Sequence, residues 1–179
     1  MRYTLIASFA AAALVIGAAA HAQNHSTMDH QRHMAAMMGD NRQLVEFPPE
    51  MRQHTLASMR DHLAAIAEIL AAISKADYAQ AARVADARLG MASPSAEGCK
   101  ADGASEKPQM SQPLNMDAQM SQLMPEGMRR IGLAMHQSAS VFAAEAAKAS
   151  KTGDATPALV ALSRVTEQCT ACHSAYKVQ

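Results

Sequence analysis

Cys169, Cys172 and His173 lie in the order Cys-Thr-Ala-Cys-His, with six residues after the histidine. Two thiols three positions apart, followed at once by an imidazole, form the C-x-x-C-H pattern through which a c-type haem is attached. The spacing has a physical basis. Each thiol adds to one vinyl group of the same porphyrin. The histidine then stands under the iron, bound through Nε2, with Nδ1–H held by an acceptor. Two other chemistries use part of the pattern. A thioredoxin-like dithiol belongs at a strand-to-helix junction, and no βαβ pattern surrounds these residues. A zinc site needs a second ligand pair, and no further C-x-x-C or H-x-x-x-H lies nearby. The expected cofactor is one covalent haem c per chain, with His173 as proximal iron ligand.

The rest of the chain must hold such a group. Among 179 residues, 49% are hydrophobic, 18% charged and 3% aromatic. Ala, Leu, Met, Gln, Glu and Arg dominate, which favours helix. Beyond the N-terminal segment the aromatic residues are Phe47, Tyr78, Phe142 and Tyr176. A β-sandwich of this size would use more of them, and more β-branched residues. A core so poor in large side chains fits helices packed around something bulky that the chain does not encode. Lys plus Arg number 16 and Asp plus Glu number 16, which argues against a nucleic-acid partner.

Residues 1–22 read as a signal peptide: Arg2 gives the positive start, Leu5 to Ala20 the apolar stretch, and Ala20-His21-Ala22 the small-residue cleavage site. Export to the periplasm with cleavage after Ala22 is expected, and no membrane span after it. Residues 23–46, rich in His, Met and Gln, read as a mobile tail. Structure is expected from Phe47-Pro48-Pro49. Leu56, Met59, Leu63, Ile66, Leu70 and Ile73 then recur at helical spacing as one apolar stripe over about five turns. Asp77 with Gln80 caps a second helix lined by Tyr78, Ala81, Ala85 and Leu89, and Gly90 suits a left-handed end. A long loop is expected at about 93–115. Pro125-Glu126 opens a third helix, with Met128, Ile131, Met135, Ala139, Phe142 and Ala146 inside. Gly153-Asp154 ends it. Thr156 as cap and Pro157 start a fourth, carrying Leu159, Leu162, Thr166, Cys169, His173 and Tyr176. The expected fold is all-α, an antiparallel four-helix bundle over 47–179 with covalent haem near the C-terminal helix.

The stretch Cys-Thr-Ala-Cys-His-Ser-Ala-Tyr-Lys at 169–177, late in a four-helix exported chain, resembles the class II c-type cytochromes, cytochrome c′ and its low-spin relatives. Class I cytochromes c carry the motif near the N-terminus and supply an axial Met downstream; here no Met follows His173. The resemblance covers roughly residues 47–179 and implies haem held between helices of a bundle. The family's usual Arg after the tyrosine is Lys177 here. It places the distal group on the first helix, four residues after an arginine. Arg52 and Leu56 fit that spacing. Leucine cannot coordinate, which implies a five-coordinate iron open to NO or CO. Met in that place implies a plain electron carrier. Met59 lies one turn further, about 4.5 Å along the axis, and its thioether is a second distal candidate. Arg52 could cover a propionate.

His54 and His62 fall beside that stripe and read as surface residues, as does His136. The tail's His25, Met28, His30, His33, Met34, Met37 and Met38 offer imidazole and thioether, a set suited to copper. Met116, Met120, Met124 and Met128 recur every four residues and read as a cover over the haem edge. Cys99, in the long loop, either pairs with its copy in a homodimer or stays a free thiol. The functions these features suggest are one-electron transfer between periplasmic redox partners, gas binding, copper handling by the tail, or a haem-free zinc or dithiol module. No nucleophile–base pair or phosphate loop suggests an enzyme.

Overall fold

The computed structural model describes residues 39–100 and 116–179. The leader, the tail's His and Met residues and loop residues 101–115 lie outside the described residues. Residues Arg42–Gln179 form one compact unit.

The described chain is mostly helical, with one short pair of parallel strands. In chain order the elements are β1 (Gln43–Val45), α1 (Pro49–Ile73), α2 (Tyr78–Arg88), a 3-10 helix (Pro94–Cys99), α3 (Met116–Leu123), α4 (Glu126–Thr152), α5 (Thr156–Ala175) and β2 (Tyr176–Val178). No helix among the described residues is long and apolar enough to cross a membrane.

Local chemistry sets the helix ends. Pro49 opens α1, where a missing N–H costs nothing. Asp77 accepts from Gln80 N at 3.0 Å and caps α2. Gly153, at φ 77°, ends α4 in the left-handed conformation. The start of α5 differs from the expected Thr156 cap. Thr156 is already helical, and its N–H is held by Asp154 Oδ1 at 2.9 Å. Gly90 is not left-handed either. It is glycine because a Cβ would stand 2.9 Å from Ser140 Oγ and 3.0 Å from the Asp86 carbonyl oxygen.

The strand pair corrects the expected start of structure at Phe47. Gln43, Leu44 and Val45 pair in parallel with Tyr176, Lys177 and Val178. The last residues of the expected tail therefore tie down the chain just after the Cys-x-x-Cys-His segment. Short polar-apolar stretches carry too little periodicity to announce a three-residue strand.

Helix packing runs α1 on α2, α2 on α4, and α4 on α5. The shared core is built largely from alanine: Ala65 and Ala72, Ala81 and Ala85, Ala139 and Ala146, Ala158 and Ala161, around Ile69, Phe142 and Leu162. Small side chains let the helices approach closely. The expected inward stripe of α1 is therefore divided. Ala65, Ile69 and Ala72 face the core, whereas Leu63 is 71% exposed and Leu70 50%. On α5, Leu159 is likewise 47% exposed, and Ala158, Ala161 and Val165 are inside instead. A second cluster joins Val45, Phe47, Met51, Met120 and Met128, with Met116, Met124, Cys172 and Tyr176 at its edge.

Candidate haem-attachment site

Large apolar residues, several of them shared with the core, surround a cavity of about 440 Å³. Leu56, Met59, Leu63 and Ile66 of α1 form one wall, Ile131, Gly132 and Met135 of α4 another, and Val165, Cys169, Cys172 and His173 of α5 the third, with Leu89 also lining it. Helical spacing explains the α5 side: positions i, i+3 and i+4 fall on one face. Cys169 and Cys172 are half-buried and free, and His173 is exposed at the cavity. Burial pushes both thiols up from their ordinary range, so both keep their protons. The volume lies in the range of cofactor pockets, about 300–1,000 Å³, and the wall is predominantly hydrocarbon with a few polar groups.

Of the distal candidates, Leu56 and Met59 line the cavity and Arg52 does not. Arg52 is exposed one turn N-terminal to the part of α1 that lines the cavity, and Arg60 is the arginine at the cavity. Arg60 stands about two turns further along α1 than Arg52. The methionines of α3 and α4 that were expected to cover the haem edge do not line the cavity. Met120 and Met128 are buried behind it, against Met51 and the edge of Cys172. Met120 Sδ also accepts from Thr55 Oγ1 at 3.1 Å.

Three expected surface positions are not on the surface. His54 is half-buried and its Nε2 lies 2.7 Å from Asp117 Oδ1, linking α1 to α3. His62 lines the cavity and its Nε2 lies 3.0 Å from Ser95 Oγ. His136 is 1% exposed, with Nδ1 2.7 Å from the Leu89 carbonyl oxygen. The His62 and His136 rings meet edge-on, centroids 5.8 Å apart. The apolar period alone could not find them. Each sits one position from a stripe residue, and partners on the 3-10 helix and at the end of α2 make its burial tolerable.

Burial, and next the His136 ring, pushes His62 from 6.5 down to about 4. His136 moves the same way, with burial the first cause. Unfolded, these groups titrate near their ordinary value. Between that value and the lower folded one, the unfolded chain binds more protons, so stability falls as pH drops from about 6.5 toward about 4. For His62 alone the loss approaches about 3 kcal/mol at the low end. Urea unfolding between pH 7.5 and 4 should show this decline, and a shallower one in His62→Gln.

Cys99 belongs to the cavity wall's backing, not to an open loop. It is 8% exposed, and burial pushes its thiol up to about 11. A protonated, enclosed thiol is a poor candidate for the expected disulfide between two copies. A Cβ added at Gly132 would stand 2.5 Å from Cys99 Sγ. Gly132→Ala should therefore destabilise by about 1–3 kcal/mol through overpacking, despite the better helix former. Adding Cys99→Ala should restore most of the loss, a coupling that a double-mutant cycle by chemical denaturation measures directly.

Scans of protein-family models and searches of curated proteins and of solved structures gave no match to this chain.

Proposed function

We propose that the chain is an exported monohaem c-type cytochrome of the class II kind, an antiparallel four-helix bundle that carries one electron between periplasmic redox partners. The carrying observation is the meeting of Cys169, Cys172 and His173 on one wall of an apolar cavity whose other walls are the large apolar residues of α1 and α4. A zinc or dithiol module has no use for such a cavity.

In this reading the Cys169 and Cys172 thiols hold the porphyrin. Each S–H would add across a vinyl double bond, sulfur to one carbon and hydrogen to the other, with no oxidant consumed. His173 would bind the iron through its imidazole nitrogen. Haem supplies a one-electron Fe(III)/Fe(II) couple when bound. Leu56, Leu63 and Ile66 exclude water from the distal side, and Arg60 is the cation nearest to hand for a propionate. β1, paired beyond His173, fixes the end of α5 that carries the imidazole. Leu56 on the distal wall favours a second role, binding NO or CO at a five-coordinate iron. Periplasmic location and cleavage after Ala22 belong to the same reading; copper handling by the tail's His and Met residues is an alternative to it.

The test is the protein expressed with its leader in a host that matures c-type cytochromes. Haem that survives denaturation and acid-acetone extraction, one per chain, is the expected result. A colourless product, or one holding zinc, would overturn the proposal. Copper titration with and without residues 23–46 tests the tail.

A further inference from the structure

Electron transfer alone leaves His62 and His136 without a task. His62 lines the cavity, and its Nε2 lies 3.0 Å from Ser95 Oγ. Ser95 Oγ is 3.4 Å from Ser93 Oγ, whose own proton goes to the Gly90 carbonyl at 2.7 Å. Ser95 is half-buried and follows exposed Pro94 at the start of the 3-10 helix. His136 stands behind, its ring at 84° to that of His62. Its Nδ1–H donates to the Leu89 carbonyl, which can only accept, and this fixes its tautomer. The arrangement is an imidazole on an apolar wall, held by the hydroxyl of a half-buried serine and backed by a ring of fixed orientation.

We propose that His62, supplied through Ser95, takes up the proton that accompanies reduction of the haem in this cavity. This rests on the haem reading of the site. An electron entering a low-dielectric pocket leaves uncompensated negative charge and raises the proton affinity of a nearby base. The electron comes from a one-electron donor protein. The Ser95 hydroxyl gives its proton to His62 Nε2 and takes one from solvent; one N–H bond forms, one solvent O–H bond breaks with its hydroxide neutralised by the buffer, and the protein gains one electron and one proton. Every neighbouring element contributes to the balance. His136 of α4 opposes charging of His62, as does Arg88 of α2, while Asp61 of α1 and Asp117 of α3 favour it. Arg88 is itself held by Asp61 and Glu68, and Asp117 by His54. Arg60 and His173 stand at the same cavity from α1 and α5, and Lys100 acts on His136. Burial depresses the proton affinity of His62, so the chain's own residues hold it neutral near pH 7.

Spectroelectrochemical titration of the full, haem-loaded protein from pH 4 to 9 tests this. The midpoint potential should fall with rising pH, approaching a tenfold change per pH unit, about 59 mV, over part of the range. His62→Gln should flatten that segment. His136→Gln should keep it and move its upper end to higher pH. Ser95→Ala should leave the potentials in place and slow proton uptake after rapid reduction, followed with an indicator dye. A wild-type potential independent of pH overturns the proposal, as does an unchanged slope in His62→Gln. If His62→Gln fails to fold, unchanged proton-uptake kinetics in Ser95→Ala overturn it. Covalent haem is measured first: a chain without it sinks this inference and the function together, whereas a haem-loaded chain with a flat potential sinks this inference alone.

Discussion

The exported Cys169→Ala/Cys172→Ala double variant should carry no covalent haem and lose most of its cooperative unfolding. The reason lies in how α1 is seated. From Ala65 onward, Ile66 included, it packs against the alanine-rich core, whereas Leu56, Met59 and Leu63 line the cavity and lie outside that core. A cavity of about 440 Å³, at about 24 cal/mol per Å³, corresponds to an upper figure of about 10 kcal/mol if left unfilled. That is the size of a whole domain's stability, about 5–15 kcal/mol. Water entering from the open side lowers the figure but leaves large apolar side chains wet. Each single variant should keep one thioether, retain haem on a denaturing gel and unfold at lower denaturant than the parent. Circular dichroism and haem staining on the three variants check this. A double variant with native helix content and a sharp transition would show that the alanine core suffices alone.

The helices were legible because their period, their prolines and their glycine and aspartate ends act locally. The meeting of Cys169, Cys172 and His173 was legible because the three fall in one contiguous stretch of one helix, and the structure brings them to one cavity. Other features depended on partners far away in sequence. Leu56, Met59, Leu63 and Ile66 mark a buried-type stripe whether they meet protein or a cavity, so periodicity could not tell which side of α1 faces the alanine core. The burial of His62 and His136 and the place of Cys99 behind Gly132 depend on how the segment around the 3-10 helix Pro94–Cys99 closes on α4. In the sequence that segment reads as part of a loop, since Pro94 and Gly98 signal breaks more strongly than packing. The placing of large apolar residues around the cavity, with small ones in the core, agrees with a composition that suits packing around a group the chain does not encode.

The second large effect concerns the iron's distal side. Leu56 and Met59 share the cavity wall, one turn apart, and only Met59 carries a lone pair. If Leu56 faces the iron, the ferric protein is five-coordinate and high-spin, and the ferrous protein binds carbon monoxide or nitric oxide rapidly. Leu56→Met, which conserves volume and adds a thioether, should then convert it to a six-coordinate, low-spin form and slow gas binding by orders of magnitude. Met59 is 38% exposed and unconstrained by any hydrogen bond to its sulfur among the described residues, so its flexible chain is the rival. Met59→Ala separates the two. In the open-site case it leaves the spin state alone and only widens the cavity. In the ligated case it turns a low-spin protein high-spin, while Leu56→Ala does not. Electronic absorption and magnetic circular dichroism of the parent and the three variants read this out. A low-spin parent that responds only to Met59→Ala would remove gas binding from the proposed function and leave electron transfer, since a thioether already holding the sixth position leaves no place for a diatomic ligand.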